Sequence, residues 1–253
     1  MRRMVLFLTC LLCLGAPCVR AQDPSILLNE ARQLEQSFKD EQALKKYLEI
    51  LRLQPRDVAI LCRCSELYSR LGKKQAQKSQ QDFYYNEAYR LAKEAYSLAP
   101  NNAEANFVMS VSMGRLAMVA SGEDKINAVR DIKKFAERSI QLDPASYKGY
   151  HVMGKWYYEV SNLSSFEKWL VKMVYGSLPP ATLNDAIRQY EKSRQLYPGL
   201  LLNYLELAKA YHKKEELDKA RALLQQLLKL PDSSSDDAFI RNEARTLLKK
   251  WAK

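Results

Sequence analysis

The chain has 253 residues, is 47% hydrophobic, contains only 8 Gly and 9 Pro, and carries a formal charge of +11. So little Gly and Pro beside many Leu, Ala, Lys and Glu leaves room for a soluble, mainly helical chain, which one elongated domain accounts for. The basic balance narrows the partners to acidic proteins, anionic lipid surfaces or nucleic acid.

Arg2 and Arg3 precede an apolar run from Met4 to Ala16, and Val19-Arg20-Ala21 sets small residues three and one before a cut ahead of Gln22. That is the layout of a secretory signal peptide. The run falls short of the roughly 20 apolar residues that span a bilayer, and Pro17 directly before Cys18 departs from a lipobox. Residues 1–21 are therefore read as a cleaved signal and the mature chain as exported, periplasmic or peripherally held on a membrane. Loss of Arg2, Arg3 and Arg20 lowers the charge from +11 to +8. Outside the cytosol, nucleic acid becomes the weakest of the three partner classes. The cut leaves Cys62 and Cys64, which point about 200° apart on a helix, so a disulfide between them would be strained. Cys64 reads as a core residue and Cys62 as a partly exposed thiol, with a redox pair as the alternative.

From Gln22 onward a helical hairpin recurs. In the unit at about 24–57, Ser25 is the expected cap of a helix whose Leu27, Ala31 and Leu34 share a face; Ala43, Tyr47 and Ile50 follow before the stop at Pro55. The unit at about 58–102 pairs Leu61, Cys64, Ser65 and Tyr68 with Ala88, Ala92 and Ala95, and the polar run from Gly72 to Asp82 lengthens it. The unit at about 103–146 pairs Asn106, Met109, Ser110 and Met113 with Ile132, Ala136 and Ser139. At about 147–200 the residues are Tyr150, Met153, Gly154 and Tyr157, then Ala186, Tyr190 and Ser193; at about 201–233, Tyr204, Leu207, Ala208 and Tyr211, then Ala220, Leu224 and Leu227. Large, apolar, small and aromatic residues at offsets of three, four and seven lie on one helix face. That order, closed by a proline, is the tetratricopeptide repeat of roughly 34 residues. The predicted fold is all-α: a right-handed α-solenoid of about five hairpins over residues 22–233, with a capping helix in 234–253. The stops at Pro55, Pro100, Pro144, Pro198 and Pro231 are 45, 44, 54 and 33 residues apart, so three hairpins are overlong, and the excess is assigned to extended or interrupted first helices.

The largest insertion, from Ser161 to Thr182, has a helix of its own at about 164–176. Ser164 and Glu167 can form a capping box, while Phe166, Trp169, Leu170 and Met173 share one face. That stripe either packs on its own array or serves as a lid, partner contact or membrane contact. After Asp232-Ser-Ser-Ser-Asp-Asp237 comes a last helix with Ile240, Ala244, Leu247, Leu248 and Trp251 as its apolar stripe, the terminal cap a solenoid requires.

The chain resembles the regulator of microtubule dynamics family. The residues that carry the resemblance are Gly154-Lys-Trp-Tyr-Tyr-Glu-Val, Leu163-Ser-Ser-Phe-Glu-Lys with Tyr175-Gly-Ser-Leu-Pro-Pro, Tyr197-Pro-Gly, and Leu205-Glu-Leu-Ala-Lys-Ala-Tyr, over about Glu87 to Trp251. The resemblance implies an extended tetratricopeptide domain and, for animal members, association with microtubules or with contacts between organelle membranes. A bacterial-type exported chain meets no microtubules, so the resemblance carries the fold and a scaffold role and supplies no catalytic residue.

Nothing in the sequence points to an enzyme. It has two histidines and no Gly-rich phosphate loop, no His-x-x-x-His, no Gly-x-Ser-x-Gly and, after the leader, no Cys-x2-Cys pair. Glu66, Glu94, Glu159 and Glu206 read as solvated charges, and no cofactor or metal site is expected. The leading reading is a protein-interaction scaffold or adaptor of the cell envelope; its rival is a structural subunit of an envelope assembly without a peptide ligand of its own. In such arrays the first helices line a groove, which assigns His151, Lys155 and Tyr158 in the fourth unit, Leu205, Lys209 and His212 in the fifth, and Arg115 in the third to the partner-binding face. Lys and Arg there suit an acidic peptide or a carboxylate terminus through charge-assisted hydrogen bonds.

Overall fold

The computed structural model describes residues 23–119, 122–163 and 180–252. The expected leader and the inserted helix, with Phe166, Trp169, Leu170 and Met173, lie outside the described residues. Within them are eleven helices and no strand: α1 (Pro24–Gln36), α2 (Asp40–Leu53), α3 (Val58–Lys73), α4 (Lys78–Leu98), α5 (Ala103–Val119), α6 (Gly122–Leu142), α7 (Tyr147–Ser161), α8 (Leu183–Leu196), α9 (Leu201–Lys213), α10 (Leu217–Leu227) and α11 (Asp237–Trp251).

Each odd-numbered helix from α1 to α9 packs on the even one that follows it. The odd helices also touch in steps, α3 to α5, α5 to α7 and α7 to α9, and α11 packs on α9 and α10 as a further first helix would. The result is the α-solenoid that the repeat pattern predicts. Its core is a string of apolar clusters in which each hairpin rests on its neighbours. Bare glycine faces let aromatic rings of the second helices approach closely. A Cβ on Gly154 would lie 2.5 Å from the Tyr190 ring, and one on Gly72 would lie 2.6 Å from that of Tyr85. Both tyrosines are fully buried.

Local chemistry sets the helix ends. Asp23, rather than Ser25, caps α1, accepting from the Ser25 N–H at 2.8 Å, because Pro24 takes the first helical position, where a missing N–H costs nothing. In the first and last hairpins, α1 and α9 end alike. Lys39 N–H reaches Leu34 O and Phe38 N–H reaches Glu35 O, as Glu216 N–H reaches Tyr211 O and Glu215 N–H reaches His212 O. This is the Schellman pattern, and it puts Phe38 and Glu215 at φ of 58° and 66°. An L side chain is strained there. Replacing Glu215 with Gly is expected to raise stability by up to about 1 kcal/mol, read as a shift of the denaturant midpoint.

In the second and third units the excess length lies mostly in the second helices, a correction to the expectation above: α4 and α6 have 21 residues each, against 14 in α2. In the fourth unit α8 keeps 14 residues and the excess falls between Ser161 and Leu183, as expected. The second half of the polar run after Gly72, Lys78 to Asp82, joins α4, where its Lys and Gln residues are good helix formers. On α11, Ile240 and Ala244 enter the core. Arg241 donates to the carbonyls of Leu227 and Leu228 at 3.2 and 3.1 Å, satisfying acceptors that the end of α10 leaves open.

Cys62 is not a partly exposed thiol. It is 1% exposed and Cys64 is 0%, because the next first helix covers this face of α3. Burial, with the charges of Glu104 and Glu66 adding for Cys62, pushes both thiols up to about 12. Neither is a thiolate nucleophile at neutral pH. An aromatic disulfide reagent is therefore expected to label both cysteines only after unfolding; rapid labelling of Cys62 in the native protein would contradict this burial.

Candidate functional site

The inner faces of α7 and α9 meet through a chain of charges. Lys155 and Lys209 occupy equivalent positions in the two helices, and Glu206 lies between them. Its carboxylate accepts from Lys155 Nζ at 2.8 Å and from Lys209 Nζ at 3.0 Å. Lys155 also reaches Glu159 at 2.9 Å, and Lys209 reaches Glu243 on α11 at 2.8 Å. Lys155 Nζ lies 5.7 Å from the centre of the Tyr158 ring, a cation–π contact. Glu206 is 6% exposed. Burial alone would raise its pKa, but the two ammonium groups outweigh it and hold the carboxyl below its ordinary value.

One turn earlier, His151 Nδ1–H donates to Asn203 Oδ1 at 2.9 Å, while Asn203 Nδ2–H donates to the carbonyl of Tyr190 at 2.8 Å. The amide bridges three helices. Burial lowers the His151 pKa against the pull of this bond and of Glu206, so the imidazole is neutral at pH 7.

A second cluster binds the earlier units. Lys148 on α7 reaches past α5 to Glu66 on α3 at 3.1 Å, pairs with Glu104 on α5, and lies 4.8 Å over the Phe107 ring. Arg63 joins Glu66 at 2.6 Å and Glu35 at 2.9 Å, and Tyr47 Oη–H donates to Glu35 at 2.7 Å. Four first helices are thus drawn together on one side, which gives the array tight curvature. Burial works against Glu66, yet Lys148 and Arg63 hold its carboxyl low; Glu104 is pushed up by burial and by the charge of Glu66, which its one partner, Lys148, does not offset.

The structure therefore brings His151, Lys155, Tyr158 and Lys209 onto one continuous face. Leu205, assigned to the groove by its position, is 1% exposed and belongs to the core, because the packing of neighbouring hairpins covers that position. His212 lies under the capping helix, its ring stacked on Trp251 at 4.1 Å and 17°. Arg115 stands apart from the lysine chain. Its Nε is inaccessible and without a hydrogen-bond partner, its Nη1 contacts only Met118 Sδ at 3.9 Å, and no ion pair is formed by it among the described residues. Glu66 and Glu206 are not solvated charges, whereas Glu94 and Glu159 are, in exposed pairs with Arg90 and Lys155. Sequence reasoning missed Lys148 and Asn203. Lys148 lies one turn before His151 on the same face, so helical spacing could have found it; Asn203 carried no such signal.

Among the described residues no cluster of three or more His, Cys, Asp or Glu side chains could hold a metal ion. No helix among them is long and apolar enough to cross a membrane.

An array of helical hairpins with paired charges along its inner face is a tetratricopeptide-repeat solenoid, a fold class of protein-interaction scaffolds. A crystal structure of a thermophilic tetratricopeptide-repeat protein from Thermus thermophilus superposes with a TM-score of 0.63 at 16% identity, covering 88% of this chain and 99% of the other. The profile of the family described as Regulator of microtubule dynamics protein 1-3 matches residues 27–252, and the chain belongs to that family. Regulator of microtubule dynamics protein 1 of Caenorhabditis elegans is 28% identical over 191 residues, 75% of this chain and 82% of that protein. Regulator of microtubule dynamics protein 2 of Mus musculus is 26% identical over 193 residues, 76% of this chain but 47% of that protein, so the chain spans about half of the mouse relative.

Proposed function

We propose that the chain is an exported, non-enzymatic interaction scaffold of a bacterial-type cell envelope whose concave face receives an acidic segment of a partner protein. The observation that carries this reading is the face built by His151, Lys155, Tyr158 and Lys209. Two cations and an aromatic ring converge there around one shared carboxylate, Glu206. The two ammonium groups are already fixed in place by Glu206, so an incoming carboxylate that displaces their outer partners, Glu159 and Glu243, loses little side-chain entropy in being held. The half-length overlap with the mouse relative leaves that protein's own associations outside what is carried over.

The test is a photo-reactive amino acid at Tyr158, compared in living cells with one at Arg188, which is exposed on α8. Capture at Tyr158 that an acidic competitor peptide abolishes is the expected result. Equal capture at Arg188, or capture indifferent to the competitor, would favour the structural-subunit rival. Export is checked separately by fractionation with mass spectrometry of the N-terminus. The mature chain is expected to begin at Gln22, and an intact Met1 in the cytosol would overturn that part.

A further inference from the structure

A segment of the chain itself crosses from the last hairpin to the first two and is seated on basic side chains there. The buried Asp237 carboxylate accepts from the N–H groups of Ser233 and Ser234 at 2.6 and 2.9 Å and from Ser234 Oγ–H at 2.7 Å, which winds the segment into a tight turn. That turn presents Ser235 and Asp236 to the far end of the array. Lys74 Nζ donates to Ser235 Oγ at 2.6 Å, and Ser235 Oγ–H donates to Asp40. Asp236 lies 3.6 Å from Lys73 Nζ and 3.4 Å from Lys74 Nζ, and Lys73 stands 5.5 Å over the Phe239 ring. Arg70 holds Asp40 from the other side at 3.1 Å. These bonds join residues 161 and 195 positions apart in sequence.

Nothing in the packing of α11 demands this contact, since Ile240 and Ala244 already anchor that helix in the core. Its links to α2 and α3 are polar, and Phe239 is 63% exposed. Partly exposed ion pairs of this kind are individually weak and screened by salt. The site thus combines two lysines in contact with an acidic, serine-rich turn, Lys73 and Lys74, with Arg70 behind them on Asp40, the carboxylate that the turn's Ser235 also meets.

We propose that Lys73 and Lys74, backed by Arg70, form a binding site for an acidic, serine-containing segment of a partner protein, and that residues 232–237 fill it in the free chain as a tethered competitor. The proposal rests on the reading that the concave side receives a protein, and adds to it the recognised sequence chemistry and an autoinhibitory occupant. A tethered competitor acts at a local concentration near millimolar, so a free segment binds poorly until the tether is weakened.

The probe is a fluorescent synthetic peptide of residues 231–238, titrated against the full mature chain. A Ser235→Ala, Asp236→Asn double variant is expected to bind it at least about tenfold more tightly than the unaltered chain. Adding Lys73→Glu should abolish that gain. Lys73 touches Asp236 and Phe239 but not Asp40, so this change leaves the Arg70–Asp40 pair intact, and a matching melting curve will show the fold retained. Spin labels at Lys78 and Asp232, compatible with the buried native cysteines, should move apart when the peptide saturates the chain. Equal affinity for the two proteins, equal binding of a peptide with Asn in place of Asp, or an unchanged label distance would overturn the proposal. If the peptide fails while competitor-sensitive capture at Tyr158 persists, the self-occupied site falls and the scaffold reading stands.

Discussion

Truncating Tyr190 to Ala is expected to cost about 3 to 5 kcal/mol, the range for removing a large buried ring. Tyr190 is 0% exposed, rests on the bare backbone of Gly154 and stands 5.6 Å from the His151 ring. Its loss opens a cavity where α7, α8 and α9 meet, and none of these backbones can collapse into the space without breaking the Asn203 bridge. The Tyr190 hydroxyl is buried with no hydrogen-bond partner, and burial raises its pKa well above the ordinary phenol value. Tyr190→Phe should therefore leave stability unchanged or raise it by about 1 kcal/mol, since it removes an unsatisfied polar group and keeps the ring. Chemical denaturation of the two variants checks both. A destabilised Phe variant would show that the hydroxyl has a partner after all.

Replacing Glu206 with Gln should cost about 3 kcal/mol, the low end for breaking a buried ion pair, because Lys155 and Lys209 each keep a second carboxylate. Apolar replacement of all three residues is expected to recover most of the loss, since the cost lies in cations left without their shared partner. The pH dependence has a definite sign. The folded-state pKa of Glu206 lies below its unfolded value of about 4.3, so its contribution is fully present above that pH and is lost as pH falls through the folded value. Thermal midpoints from pH 7 to 3 should fall below about pH 4.3 in the unaltered protein and fall less steeply in the Gln variant, where Glu66 still contributes.

The helices were legible because their causes are local. The stripes Leu61, Cys64, Tyr68 and Tyr204, Leu207, Tyr211 repeat at helical spacing, and prolines stop each hairpin. The register of the first helices was legible for the same reason, which put His151, Lys155 and Lys209 on one face. What could not be read was which charges meet. Lys148 and Glu66 are 82 residues apart, and only curvature that skips a whole hairpin brings them to 3.1 Å. Spacing along one helix carries no trace of that. The burial of Leu205 and Cys62 escaped for a related reason: both follow a packing residue directly and would face a groove if the first helices were splayed. Their close contact covers that position. The acidic turn before α11 gave no sign of its partners, since Asp40, Lys73 and Lys74 lie at the other end of the array.

Backbone hydrogen exchange of the full mature chain, alone and with the partner captured at Tyr158, tests the central claim most directly. Protection gained along α7 and α9, where the inner face is built, together with faster exchange at Ser233 to Asp236 as the turn is displaced, is the predicted result. Protection confined to the outer helices α4, α6 and α8, with the inner face unchanged, would contradict a scaffold that works through its concave side.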